Sequence, residues 1–535
     1  MHVGIIGGGI SGLYAALLLL REGHWVTIFE AANRLGGRIY THHFDPTAPD
    51  EDPFFEAGAM RIPRSSLHNI VFSLVRYLNT RNMREDQVTL IPYILEHNNN
   101  LAFVQGKVRE RSDPGMSAQL GMPIEFHGKS ADQLLSEVVR PWLDLLHADF
   151  EKGFEELLFH DDMSFRTYLR YIVKWPHEVI DHVELMTSQT NQYDLSFTEI
   201  IMQCLDFGTK EWVTIKGGMS RLVDAAANLI DDFSIHYNAP IKRIHELADG
   251  KILLMSDGPS PKTGVFDKVI AAVPPAALQG ILERPQWSPR KEQAIRSIHF
   301  EPLYKIGLHF KTRFWENFPR PCFGGQSTTD LRFRWIVYPS DNIGSTGSGV
   351  LLLYSWMTDA ARWATRSRQD RIDTALHDLD KFFAATASHT GADHIDVYGQ
   401  FIEAFDLHWS EDVSMGDSMY LPGQFSRFFN AARQNEGNVF FAGEHLSHHH
   451  TWIAGAIDSS LYAVRTLLGR SSLDMLGCEF ASYNKPKSIG KRLPAEAADL
   501  ASLPVADRIG KDASTWMSLL SIPSNLNIQY VFHVS

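Results

Sequence analysis

Residues 3–30 read VGIIGGGISGLYAALLLLREGHWVTIFE, and this stretch decides the fold. Val3 to Ile6 is an apolar run of strand length, and a glycine-rich turn follows it. LYAALLLLRE then has the composition of a helix, and Trp25 to Phe29 forms a second strand ending at an acid, Glu30. Strand, turn, helix and strand in that order make a βαβ unit with its two strands parallel. Gly7, Gly9 and Gly12 fit G-x-G-x-x-G. The first glycine permits the tight turn, the second lets the backbone approach a pyrophosphate, and the third lets the helix pack closely on the strand. The helix N-terminus, with Ser11 beside it, offers unpaired N–H groups to phosphates. Glu30 is placed to accept hydrogen bonds from ribose hydroxyls, and its charge argues against a 2′-phosphate.

The glycine motif alone is weak evidence, but strand, helix, second strand and acid all fall in register with it. A dinucleotide site follows, for NAD or FAD. The continuation AANRLGGRI favours FAD: Gly36 and Gly37 make a second backbone turn, and Arg34 and Arg38 supply guanidinium groups for an extended pyrophosphate.

The composition of the whole chain directs the search to a small-molecule site. At 535 residues it is too long for one small core, so two or three interlocked domains are expected. A net charge of -13 disfavours nucleic acid and anionic membrane surfaces as partners. Cys204, Cys322 and Cys478 lie far apart, which indicates neither a disulfide framework nor a thiolate metal site. Met1 runs almost directly into the first strand without the segments of a signal peptide. The longest apolar run, Leu13 to Leu20, is too short to span a bilayer. The cytoplasm is the default expectation.

Residues 54–63, FFEAGAMRIP, place one arginine among residues that favour burial. Arg61 is either a surface residue on an irregular loop or a charge held for an anionic partner, because a lone buried guanidinium is costly.

At this point the sequence resembles the flavin-dependent amine oxidase superfamily, and within it the L-amino acid oxidases. The resemblance rests on the glycine fingerprint with Glu30, on RLGGR, and on Gly58, Ala59, Met60, Arg61, Ile62 and Pro63. It continues in order through VTIKGGMSRL (213–222), IHYNAPIKRI (235–244), DKVIAAVP (267–274), YKIGLHFKTRFW (304–315), STTDL (327–331), LLLYSWMTDA (351–360) and FFAGEHLSHHHTWIAGAIDSS (440–460). It ends near Leu468. It implies an α/β fold with a Rossmann-like FAD domain, a substrate-binding mixed sheet and a helical lobe. It also implies oxidative deamination of an L-amino acid to a 2-oxo acid, ammonia and hydrogen peroxide, by hydride transfer from Cα to flavin N5.

The resemblance assigns roles residue by residue. Arg61 grips the substrate carboxylate with help from the Tyr354 hydroxyl, Lys305 holds a water near the flavin N5, Trp452 walls the substrate, and the carbonyl of Thr451 receives the substrate amine. Gly7, Gly9, Ser11, Gly12, Glu30, Arg34, Gly37, Arg38, Gly58, Ala59, Met60, Arg61, Ile241, Gly443, Glu444, Trp452, Ile453 and Ala456 contact the cofactor. A helix starting near Ile453 directs its positive end at the flavin N1–C2 region, where charge accumulates on reduction. Two departures stand out. Thr451 occupies a position where L-amino acid oxidases often have glycine, and no cysteine lies in 440–460, so the FAD is expected to be noncovalent. A homo-oligomer is an expectation from family habit alone.

Plainer readings stand beside these. Lys305 also suits a snorkelling surface lysine, because strand alternation does not establish its burial. Tyr354 also suits simple core packing. His445, His448, His449 and His450 suggest a metal, but only Glu444 accompanies them, so they are read as lining an entrance or bonding backbone and no metal is assigned. The competing chemistries are a decarboxylating, amide-forming flavin monooxygenase and a monoamine or polyamine oxidase, which Arg61 disfavours. A flavin-binding scaffold without turnover is a further competitor.

The expected organisation is a discontinuous FAD-binding domain from 1–70, 211–285 and 400–470. A substrate-binding domain comes from 71–129 and 286–399, a helical domain from 130–210, and a C-terminal extension from 471–535. The helical domain is read from ADQLLSEVVRPWLDLLHADF and HEVIDHVELM, and a further helix is expected at Gln369 to Ala384.

Overall fold

The structure is a computed structural model that describes residues 1–45, 53–113, 115–411 and 415–478. His2–Ile6 lies at the centre of a five-stranded parallel sheet, between Trp25–Phe29 and Lys268–Ala271, with Ile235–His236 and Val439–Phe441 at the edges. Its inner strands read as continuous apolar runs because both faces are covered. The helix Ile10–Arg21, buried from Ile10 through Leu19, packs beside the helix Ile453–Leu468. Gly12 sets the close packing of the first helix on the strand before it: a Cβ there would stand 2.0 Å from the Gly7 carbonyl oxygen. The two helices are cross-linked near their starts, where Ser11 Oγ donates to Ala456 O at 3.0 Å and Ser460 Oγ donates to Ser11 O at 2.8 Å.

A seven-stranded mixed sheet runs in the order Phe401–His408, Leu303–Phe310, Gly349–Trp356, Trp335–Val337, Gln326–Thr329, Leu101–Val104, Lys107–Glu110. Every residue of Leu303–Phe310 and Gly349–Trp356 is buried. Tyr304, Ile306, Leu308 and Phe310 join the core that includes Leu376, Phe382 and Phe383 of the helix Arg368–Thr390. Strand alternation therefore points Lys305 to the opposite side. The helix outruns the expected 369–384: Ser367 caps it by accepting from Asp370 N at 3.1 Å, and Gly391 ends it at φ 71°.

The helical lobe departs from one expectation. The run 131–150 breaks at Asp149, giving Ala131–Ala148 and Phe150–Leu158, because the Asp149 carboxylate accepts from Lys152 N at 3.2 Å and caps a new helix. Segment 235–244 likewise divides. Ile235–His236 joins the parallel sheet, whereas Ile241–Glu246 begins a separate antiparallel sheet after Asn238 turns the chain at φ 51°.

Strand pairing crosses two of the expected domain boundaries. Phe401–His408, grouped with the FAD domain, pairs along the free edge of Leu303–Phe310 and so belongs to the mixed sheet. Leu90–Pro92, grouped with the substrate domain, pairs with Trp212–Ile215, which also pairs with Ile62–Pro63. Of the C-terminal extension, 471–478 packs on the first helix: Leu476 N donates to the Tyr14 hydroxyl at 3.2 Å and Arg21 to Asp474 O at 2.8 Å. The expectation for 479–535 lies outside the described residues. Among the described residues no helix is long and apolar enough to cross a membrane.

Candidate active site

A cleft opens at the carboxyl ends of the parallel strands, where ligands of open α/β sheets bind. Gly7, Glu30 and Val273, each just past a strand, line it together with Gly9, Ser11, Arg34, Gly37, Arg38, Gly58, Ala59 and Ile241. Its wall is completed by Asp417, Gly443, Glu444, Thr451, Trp452, Ile453 and Ala456. Sixteen positions named from the sequence thus meet in one cavity, drawn from six separate stretches of chain. A Cβ on Gly9 would meet nothing nearer than 4.0 Å, so its absence leaves room for a ligand group against the backbone. The two glycine turns are tied together, with Gly36 N donating to Gly8 O at 2.9 Å. These features fit an extended dinucleotide.

Three predicted cofactor contacts, Gly12, Met60 and Arg61, lie outside the cleft lining, the last of them described below. Gly12 serves helix packing, and the buried Met60 side chain joins the hydrophobic core. The charged groups are held in place by the protein itself. Glu30 accepts from Gly8 N at 2.7 Å and Ala32 N at 2.8 Å. Arg34 donates to Gly37 O at 2.9 Å and lies over the Tyr40 ring. Arg38 donates to Glu444 Oε1 and Gly416 O, each at 2.8 Å. Burial works to raise the Glu444 carboxyl, but Arg38, His450, His445 and the Thr451 N–H together hold it below the usual carboxylate range.

Lys305, Arg61 and Tyr354 gather outside the cleft lining. Lys305 pairs in register with Tyr354 on the neighbouring strand, and its Nζ sits 4.7 Å from the tyrosine ring centroid. The same Nζ donates to Gly58 O at 2.5 Å and to Glu56 O at 3.4 Å. Burial, and then the charge of Arg61, bring Lys305 down to about 7, against the opposing pull of Asp417 and Glu56. Burial and Asp417 push the Tyr354 hydroxyl well above its ordinary value, so it stays a donor. Arg61 is 1% exposed, with Phe207, Tyr93 and Trp212 ring centroids at 5.5, 5.8 and 5.9 Å from its guanidinium carbon. Phe207 and Trp212 also pack against Trp452, at 5.2 and 5.9 Å between ring centroids. Arg61 and Trp452 therefore share an aromatic wall.

Sequence reasoning missed several of these residues. Burial raises Asp417 to about 8, with Glu444 adding to the effect and Arg38 and Lys305 opposing it. Burial likewise raises Glu56 to about 8. An isolated acid in a loop or a short strand gives no signal of such burial. Trp212 stands just before the recognised VTIKGG segment and was open to suspicion as a large aromatic beside a glycine turn. The histidines are also corrected: His449 and His450 bond the carboxylates of Asp206 and Glu199, at 2.8 and 2.7 Å, in place of backbone or an entrance. His448 packs against Phe150, Phe154 and Phe429. Thr451 has φ 73°, in the region that favours glycine.

Comparisons with known proteins identify the family and the fold. A protein of Dictyostelium discoideum named a candidate bifunctional amine oxidase is 32% identical over 89% of this chain, and the match spans about half, 47%, of that protein. An L-amino-acid oxidase of Vipera ammodytes ammodytes is 30% identical over 87% of this chain and 92% of its own. Among solved structures, a putrescine oxidase variant (TM-score 0.68, 18% identity, 88% of this chain and 99% of that one) shares the fold. So does cyclohexylamine oxidase from Brevibacterium oxydans IH-35A (TM-score 0.67, 20% identity, 88% and 98%). The family described as flavin containing amine oxidoreductase matches residues 10–468, and the chain belongs to it.

Proposed function

We propose that this flavoenzyme is an L-amino acid oxidase that holds FAD noncovalently. The observation that carries the reading is Arg61, a buried guanidinium ringed by Phe207, Tyr93 and Trp212 and sharing its aromatic wall with Trp452. A plain amine gives such a group nothing to bind, whereas an α-carboxylate matches the planar fork of its donors.

The cleft suits the whole dinucleotide: Glu30 and Ile241 for the nucleoside part, Gly9, Ser11 and the start of Ile10–Arg21 for the pyrophosphate, and Glu444, Trp452 and the start of Ile453–Leu468 for the redox-active part. Cys204, Cys322 and Cys478 all lie away from the cleft, which supports noncovalent binding. Bound flavin supplies the hydride acceptor and the route of two electrons to oxygen. The protein's residues do the rest. Arg61 and the Tyr354 hydroxyl clamp the carboxylate and thereby orient Cα. Trp452 and Phe207 confine the substrate and exclude water. With a pKa of about 7, Lys305 can hold or release a proton at Nζ near neutrality. The imino acid then hydrolyses in water to the 2-oxo acid and ammonia, while oxygen leaves as hydrogen peroxide.

The test is anaerobic mixing of the yellow protein with L-phenylalanine, L-leucine, their D-enantiomers and phenethylamine, on wild type and Arg61→Ala, following flavin bleaching. We expect bleaching by L-acids alone, with half-saturation raised about a hundredfold or more in the variant, since lost charge-assisted bonds cost about 3 kcal/mol. Equal bleaching by the amine, or an unaffected variant, sinks the reading. Product analysis separates a 2-oxo acid from an amide.

A further inference from the structure

His449, His450 and Thr451 are each bonded to a different carboxylate. His449 Nδ1 lies 2.8 Å from Asp206 Oδ1 and His450 Nδ1 lies 2.7 Å from Glu199 Oε2, while Thr451 N donates to Glu444 Oε2 at 2.9 Å. Glu199 and Asp206 stand two turns apart on the helix Phe197–Asp206, so one helix face holds both rings. The anchors are themselves fixed. Glu199 also accepts from Tyr420 N at 2.8 Å and from Gln203 Nε2 at 3.1 Å. The His450 ring is stacked on Phe425 at 5.0 Å and packed on Tyr420 at 4.3 Å. Asp206 faces His68 at 3.8 Å, and the His68 ring packs on Trp452 at 5.2 Å.

What these anchors hold is unfavourable by itself. A β-branched residue at φ 73° persists only where its surroundings over-determine it. Stability alone does not account for the buried His450–Glu199 pair and the half-buried His449–Asp206 pair beside it, since well-packed apolar residues serve a core at least as well. Thr451 lines the cleft, and Trp452 begins the helix Ile453–Leu468. We propose that His449–Asp206 and His450–Glu199 act as positioning pairs that force Thr451 into the left-handed conformation and so fix the Thr451–Trp452 wall of the substrate site. This rests on the amino-acid reading only in naming the substrate.

The test is a double-mutant cycle on the flavin-loaded protein. Glu199→Gln and Asp206→Asn are each made with Thr451 present and in the Thr451→Gly background, because glycine adopts positive φ without needing the anchors. We expect each anchor variant to lower kcat/KM at least tenfold with Thr451, mainly through KM, and less than threefold in the Thr451→Gly background. Equal losses in both backgrounds overturn the proposal. A measurement independent of turnover compares unfolding temperatures: Thr451→Gly should unfold at least 1 °C above Thr451→Ala, and the reverse order overturns the strain argument even where an anchor variant fails to fold. If amines bleach the wild type in place of L-amino acids, the substrate reading falls, while the cycle run with that amine still decides the proposal.

Discussion

Replacing Lys305 with methionine should make the flavin-free protein more stable at low pH than at high pH relative to wild type. Burial and the neighbouring Arg61 bring the Lys305 ammonium from 10.5 down to about 7 in the folded chain. Between these values the unfolded chain binds the extra proton, so wild-type stability rises with pH through this window and its full cost is felt below pH 7. Taken whole, that cost is on the order of 5 kcal/mol. Against it, Lys305→Met strands the carbonyls of Gly58 and Glu56, at about 1–3 kcal/mol for each one left unsatisfied. The net at a single pH is therefore small, but the carbonyl loss does not vary with pH. From pH 6 to pH 9 the wild type recovers about 2–3 kcal/mol that the variant cannot. Asp417 and Glu56 add in the same direction, because losing a neighbouring cation lets both acids keep their protons to higher pH. Urea unfolding at the two pH values, followed by tryptophan fluorescence, measures the difference. Parallel behaviour of wild type and variant would show that Lys305 keeps its ordinary basicity and would refute the argument.

Gly12→Ala should yield a protein that loses its yellow colour on gel filtration and is destabilised by about 1–3 kcal/mol, since the added Cβ lands 2.0 Å from Gly7 O and pushes the helix off the strand. Tyr354→Phe should raise KM for L-amino acids about fivefold, the effect of one lost hydrogen bond of about 1 kcal/mol, in steady-state assays of peroxide release; an unchanged KM would return Tyr354 to packing alone.

The parts of the protein legible in the sequence are those whose evidence is local. Within 28 residues the first strand, glycine turn, helix, second strand and Glu30 carry their own geometry, and the structure reproduces them to the residue at both strand ends near the turn. Arg61 was conspicuous as a charge in an apolar stretch, but its aromatic ring comes from Tyr93, Phe207 and Trp212, which nothing local links to it. Lys305 was ambiguous because period-2 alternation identifies a buried lysine only when one face is wet, and here both faces are covered. The histidine run was misread for a related reason: its carboxylates lie 243 and 251 positions away, on a helix whose own pattern gives no hint of them. Asp417 gained its surroundings through the pairing of Asp417–Ser418 with Phe300–Glu301. In each case the missing information is which distant element covers the residue, a property of packing that composition and periodicity do not hold.

The same burial accounts for the charge of the site as a whole. Asp417 and Glu56, both raised to about 8, keep their protons at neutral pH, while Glu444 stays ionised against Arg38. The two acids that face Lys305 carry little charge there and raise its basicity only when ionised, so the positive charge of the region rests mainly on Arg61. An alkylammonium substrate would bring a further cation into a place with little dielectric screening. On the proposed reading a zwitterionic amino acid would place its carboxylate at Arg61, and that anion would then also stabilise the protonated form of Lys305. Raising the pH past 8 would ionise Asp417 and Glu56 and weaken this preference. If the proposed substrate holds, selectivity between amino acid and amine would be set as much by the two protonated acids as by Arg61.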